Sequence, residues 1–285
     1  MDGSNEILTP DNFFRGPEMS GAYIKLRPDY PPELAQYIID FLSKTPGPRN
    51  FLVDVGCGSG QSTLMMLSYF ERLLGVDLSP DQIKCAKQSE FPDNVDFTVG
   101  SCGNIPVESG TVDLITAGTA IHWFDLDEFF PEVERVLRPG GCLAIYSYLE
   151  TDIECDDAEK TQELKRILRK VEDDILENNR PDQWGVSWEV LKSRFKDLRL
   201  PFEESQRGTM FSIKKSTSVA KFVQLVKTYS ESKEFMRRNS EFAKQTFDQL
   251  QKDLMSVVGN GKPPEDACIT YILPVFTALA RKPLA

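Results

Sequence analysis

A run of ten residues, Phe51-Leu-Val-Asp-Val-Gly-Cys-Gly-Ser-Gly60, constrains this chain more than any other. A short apolar stretch leads into glycines at positions 56, 58 and 60, and then into Gln61-Ser-Thr-Leu-Met-Met. That order reads as a buried strand, a tight turn and the start of a helix. Glycine lets the backbone turn sharply and approach a ligand with no Cβ in the way. One strand later, Gly75-Val76-Asp77 ends in a carboxylate able to accept hydrogen bonds from both hydroxyls of a ribose. A glycine turn serving chain reversal alone would leave the placement of Asp77 a coincidence.

The spacing narrows the choice of nucleoside. A dinucleotide fingerprint places its third glycine three residues after the second, where the helix packs beside the pyrophosphate. Here that position is Gln61, and the pattern is GxGxG. Asp54, just before the turn, would set a negative charge against a pyrophosphate, whereas it suits a cofactor carrying an amino group and a sulfonium. Both features favour S-adenosylmethionine (SAM) over NAD. The expected contacts are Asp54, Gly56, Gly58, Gly60 and Asp77.

Around this loop the chain alternates. Apolar runs at 51–55, 72–76, 95–99, 112–116 and 142–148 read as strands, with helices expected at 60–70, 80–89 and 126–137. The segment 101–109 has no clear period. Pro31-Pro32 opens an earlier helix with Leu34, Ile38, Phe41 and Leu42 on one face. Such βα repeats build a parallel sheet whose ligands bind at the strands' carboxyl ends.

The rhythm breaks after Tyr148: an acidic stretch at 150–159 precedes a helix striped by Leu164, Ile167, Leu168, Val171 and Ile175. A strand at 205–213, helices at 217–229 and up to 256, and an apolar run at 268–279 follow. The expected fold is a doubly wound, mostly parallel, seven-stranded α/β sheet in a single domain. In it, 1–50 forms an arm and helix over the cofactor, 51–149 the binding core, 150–204 a helical lid for the substrate, and 205–285 the end of the sheet.

Charge and cysteine usage limit the partners. With 44 acidic against 33 basic residues the net charge is −11, which repels nucleic-acid phosphates. The six cysteines are scattered with no CxxC pair, and His122 is the only histidine, so a zinc site is not expected. Reduced thiols and a polar, acidic start without an apolar leader lead us to expect a cytoplasmic protein, and nothing in the pattern asks for a membrane or a second subunit.

Four segments then resemble, in order, the motifs of the Rossmann-like SAM-dependent methyltransferases: Asp54 to Gly60, Gly75-Val-Asp-Leu78, Val112-Asp-Leu-Ile-Thr116 and Leu137-Arg-Pro-Gly-Gly-Cys-Leu143. The finer resemblance is to the trans-aconitate methyltransferase-like family of small-molecule O-methyltransferases. It rests on Tyr23-xxx-Arg27-Pro-Asp-Tyr30-Pro, Ala120-Ile-His122-Trp123-Phe124, Asp197-Leu-Arg-Leu-Pro201-Phe and Phe222-Val-Gln-Leu-Val-Lys-Thr-Tyr229-Ser. The resemblance implies that Tyr23 and Arg27 close over the cofactor, that Ser101 and Cys102 meet the adenine, and that Leu78 and Ala117 complete the cofactor contacts. Ser101 is a weaker acceptor for the adenine amine than the acidic residue many relatives carry there.

Each candidate has a plainer reading. His122 and Trp123 are expected to line the methyl-transfer site, but a lone histidine can be structural and Trp123 can be core. Tyr23 and Arg27 can clamp a helix start. Trp184, Trp188 and Arg194 in the insert are expected at the substrate, although the tryptophans can equally pack the lid. Because the methyl arrives activated, the protein's main task is positioning. A carboxylate acceptor is already ionised at neutral pH and needs no base or metal, so the expected acceptor is a small, anionic acid. Arg180, Arg194 and Arg207 are its candidate partners. Methylation of nitrogen, carbon or lipid on the same fold, and an inert SAM-binding module, are the alternatives.

Overall fold

The computed structural model describes residues 28–88, 91–178 and 188–284. Its first helix, α1 (Pro32–Leu42), starts at Pro31-Pro32, where a missing N–H costs nothing, and buries Leu34, Ala35, Ile38, Ile39, Phe41 and Leu42. Next come β1 (Phe51–Val55), α2 (Gln61–Leu64), β2 (Arg72–Asp77), α3 (Pro80–Gln88), β3 (Val95–Val99), β4 (Val112–Gly118), α4 (Leu126–Val136) and β5 (Leu137–Ser147). The last part of the chain holds β6 (Asp152–Glu154), α5 (Ala158–Glu177), α6 (Trp188–Lys192), β7 (Ser205–Ser218), α7 (Val219–Lys227), α8 (Ser230–Arg238), α9 (Ser240–Val258) and β8 (Cys268–Arg281).

The sheet runs β3-β2-β1-β4-β5-β8, with β7 on the far side of β8. β1 to β5 are parallel, and β8 is antiparallel to its neighbours. Sheet order reverses between β1 and β4, so their carboxyl ends splay apart into the crevice where α/β proteins bind ligands. Register explains the two cores. Leu52 pairs with Leu73 and Leu114, and all three face one cluster of apolar side chains. Val53, Leu74 and Ile115 form the next row and face the other. Helices cover both faces, as the near-continuous apolar strands require.

Among the described residues the sheet has eight strands where seven were expected. The addition is β6, three residues that pair with Thr270–Ile272, while β5 pairs with Phe276–Arg281 further along the same partner. A segment so short, with acids at both ends, shows no period to read. Other boundaries moved for local reasons. Helix 60–70 shrinks to α2 and a 3₁₀ turn at Leu67–Tyr69, because Met65 and Met66 bond to Ser62 and Thr63, three residues back rather than four. The polar helix before 256 is two helices, divided where the Asn239 side chain caps the amide of Phe242. β7 runs to Ser218 because β8 pairs with it from Phe211 to Ser218, beyond a register shift after Gly208.

In the insert, α5 buries the expected stripe of Leu164, Ile167, Leu168, Val171 and Ile175 against β6, α8 and α9. α6 packs beside the 3₁₀ turn Ile121–Trp123. No helix among the described residues is long and apolar enough to cross a membrane.

One side chain ties the two ends of this fold together. Arg281, 3% exposed, donates to the carbonyls of Phe41, Leu42 and Gly140 and to Glu204, and lies 5.0 Å over the Phe41 ring. It thereby satisfies the last carbonyls of α1, where a cation is also favoured by the helix dipole. Arg281→Met is expected to cost about 2–3 kcal/mol in urea denaturation, because buried carbonyls lose a charged donor. SAM affinity should hold; a stability loss below about 0.5 kcal/mol would show that water replaces the guanidinium.

Candidate functional site

The site is built at the carboxyl end of β1. Asp54 is fully buried, and its Oδ1 accepts from Thr116 Oγ1 on β4, while Oδ2 accepts from Ser62 Oγ and Thr63 Oγ1 on α2, all at 2.7 Å. Burial pushes its carboxyl above the usual range, and the three hydroxyls hold it back. The structure thus places Asp54 beneath the glycine loop, bonded to the protein, and not at the surface where the cofactor's amino group was expected.

The three glycines divide the work. All have positive φ, from 55° to 91°. A Cβ on Gly56, which also lines the cleft, would meet Ala120 Cβ at 2.5 Å, and one on Gly60 would meet Phe97 at 2.7 Å, so both positions require close packing. At Gly58 a Cβ would meet nothing nearer than Gln82 Oε1, at 4.0 Å. Gly58 therefore opens onto a cleft lined also by Asp77, Gln82 and Trp123.

Beside it stands Asp77, whose Oδ2 accepts from the Gly58 amide at 2.8 Å and Oδ1 from the Ser79 amide at 2.9 Å. Burial raises its pKa, with these two amides opposing the rise. Each oxygen keeps a lone pair for a ribose hydroxyl. Leu78, an apolar side chain 44% exposed, also lines the cleft, as do Ser101 and Cys102. Burial raises the Cys102 thiol, so it lines the cleft as a neutral group.

Sequence reasoning missed several lining residues. Gln82 is 3% exposed, and its Oε1 has no hydrogen-bond partner among the described residues. An orphaned buried acceptor beside Gly58 and Asp77 fits a nucleoside that brings its own donors. Its signal was position: one turn into α3, just after Asp77. Pro28, Asp29 and Tyr30 form one rim, and Gly118, Thr119 and Tyr148 another.

Of the remaining candidates, Trp123 lines the cleft, whereas His122, its neighbour in the 3₁₀ turn, stands with its ring 5.3 Å from the indole and does not border the cleft. Ala117 points into the core, and Gly118 takes its place at the surface. Arg194 pairs with Glu150, outside the cleft lining, and Arg207 donates to the carbonyls of Phe195 and Leu198. Tyr23, Arg27, Arg180 and Trp184 lie outside the described residues, as does the side chain of Trp188. Among the described residues, no cluster of three ligand-type side chains could hold a metal.

Outside the cleft lining, one acid is strongly perturbed. Glu172 on α5 is pushed up to about 7, first by burial and then by Asp173, Glu150 and Glu231, with Arg169 opposing.

Comparison with known proteins agrees with this geometry. The methyltransferase domain family matches residues 53–145. A candidate methyltransferase from Dictyostelium discoideum is 30% identical over 282 residues, spanning 98% of this chain and 99% of the relative. Norajmaline N-methyltransferase from Rauvolfia serpentina is 32% identical over 134 residues, 45% of this chain and 46% of the relative. The solved structure of a candidate type II methyltransferase from Anaeromyxobacter dehalogenans is 26% identical, with a TM-score of 0.71 over 90% of this chain and 99% of that one. The chain belongs to the SAM-dependent methyltransferases, and its cofactor is S-adenosylmethionine.

Two predictions follow from the glycines and from Glu172. Gly58→Ala should weaken SAM binding at least tenfold in calorimetry with a modest loss of stability, while Gly60→Ala, meeting Phe97, should lower the melting temperature first. Equal effects on both properties at both positions would refute the division. For Glu172, a folded pKa above the usual value means that the native state holds the proton more firmly than the unfolded chain. Stability therefore falls as pH rises from about 4.5 to about 7 and stays reduced above that. Glu172→Gln should be more stable than wild type at pH 8, on the order of 1 kcal/mol after allowance for solvent screening. The advantage should vanish by pH 4; a pH-independent difference would mean that Glu172 does not titrate as described.

Proposed function

We propose that this methyltransferase acts on a small molecule that offers an amine nitrogen to the cleft. The observation that carries the reading is charge: among the described residues lining the cleft, Asp29 and Asp77 are the charged ones and none is a cation. A cleft lined in this way favours an amine over a carboxylate. Tyr30, Trp123 and Tyr148 supply aromatic faces and edges, which suit a substrate that becomes an alkylated ammonium. The N-methylating relative from Rauvolfia is consistent with such an acceptor.

Bound SAM supplies a methyl group already activated on a cationic sulfur. The chain's own residues then orient and exclude. Asp77 and Gln82 hold the ribose side, Leu78 and Cys102 the base side, and the aromatic rim keeps water from the reacting end. Positioning of this kind can be worth about 7–11 kcal/mol. The insert supports a wall on the acceptor side, since it starts two residues beyond Tyr148 and sends α6 against the turn that carries Trp123.

Carboxylate methylation is the second reading. It is favoured by the trans-aconitate-like motifs at Tyr23 to Pro31 and Ala120 to Phe124, with Arg180, which lies outside the described residues, as the remaining candidate cation. The two separate chemically. Purified protein is incubated with methyl-labelled SAM and matched panels of small amines and small carboxylic acids. An amine acceptor should give label that survives alkali, with a rate rising about tenfold per pH unit below the amine's pKa. A carboxylate should give an ester that releases labelled methanol in alkali, with a rate flat from about pH 6 to 8. The second pattern would overturn the amine proposal.

A further inference from the structure

We infer that Tyr30 and Thr119 form a latch that holds residues 28–30 across the cofactor cleft and sets how fast cofactor and product leave it. The inference rests on the cofactor site and is independent of the acceptor's chemistry.

Thr119 follows β4 directly and has φ of 50°. For a β-branched residue this left-handed conformation is strained, and glycine or asparagine would occupy it more easily. The backbone is held there by the Thr119 amide, which donates to the Tyr146 carbonyl at 2.8 Å. What threonine adds is a hydroxyl. Its Oγ1 lies 2.5 Å from the Tyr30 hydroxyl and accepts from Ser147 Oγ at 3.3 Å. The strained residue thus reaches across 89 positions of sequence to a cleft-lining tyrosine, a contact that glycine or asparagine with an easier backbone would not make in this form.

The other half of the latch is stiff. Tyr30 precedes Pro31-Pro32, which fixes the backbone ahead of α1 and keeps the residue before it extended. Its ring lies edge-on to Tyr146, with centroids 4.8 Å apart, and 6.0 Å from Tyr148. The rim residues 28–30 therefore project from α1 as a short strap, and the hydroxyl of Tyr30 fastens the strap to the carboxyl ends of β4 and β5. Pro28, Asp29, Tyr30 and Thr119 all border the cleft, so releasing this one bond widens its mouth.

The test measures release of tritiated S-adenosylhomocysteine from the full chain into excess unlabelled ligand, alongside melting temperature. Tyr30→Phe and Thr119→Ala should each speed release about three- to tenfold, as loss of one net hydrogen bond implies. The double variant should release no faster than either, because both remove the same bond. Thr119→Ser should restore slow release. Thr119→Gly relieves the backbone, so it should release quickly without a lower melting temperature, an outcome that a purely structural role does not produce. Release within twofold of wild type in both Tyr30→Phe and Thr119→Ala would overturn the latch, as would a Thr119→Ser variant as leaky as Thr119→Ala.

Discussion

The rest of the site depends on one buried carboxylate. Asp54 gathers three hydroxyls from two elements, and in doing so binds the end of β1 to β4 and to the start of α2. A carboxyl so deeply buried is tolerable when its oxygens have partners, and here three hydroxyls supply them. Thr116 stands directly beside Asp54 in the sheet register, so the contact across the topological reversal needs no adjustment of either strand. The glycine loop starts from that fixed point. Its amides at Gly56 and Cys57 then bond to the Val76 carbonyl, which brings Asp77 within reach of Gly58. The position of Asp77 beside the cleft is thus inherited from a bond network anchored beneath the loop.

That inheritance explains what could be read from the chain alone. The glycine loop, Asp77 and the strand rhythm from 51 to 118 were legible because each depends on local spacing. The destination of Asp54 was not, since hydroxyls at positions 62, 63 and 116 become its partners only after the strands are placed. The same holds for glycines that look alike in sequence yet face Ala120, the cleft and Phe97 in turn. Arg194 and Arg207 were candidates because arginine suits an anion, but arginine serves carbonyls and surface acids equally well, and only the fold decides. Tyr30 was visible as part of a motif, yet its partner Thr119 carried no signal: a left-handed threonine cannot be recognised without its dihedral angle.

Electrostatics also bears on stability away from the cleft. Glu172 keeps its proton toward the neutral range chiefly because it is buried, with Asp173, Glu150 and Glu231 adding to the rise. The fold tolerates this strain because α5 is anchored by its apolar stripe and not by its acids.

β8 has a further consequence, for the order in which the molecule assembles. One edge of this single strand is shared between β5 and β6, and the other is covered along its length by β7. During synthesis Ser147 leaves the ribosome long before Phe276, its eventual neighbour, so the apolar edge of β5 must wait uncovered while the helices of the insert form. The nascent chain is therefore most vulnerable to pairing with another copy of itself during that interval. Closure comes as a single event, when β8 zips against three strands at once and Arg281 reaches back to α1.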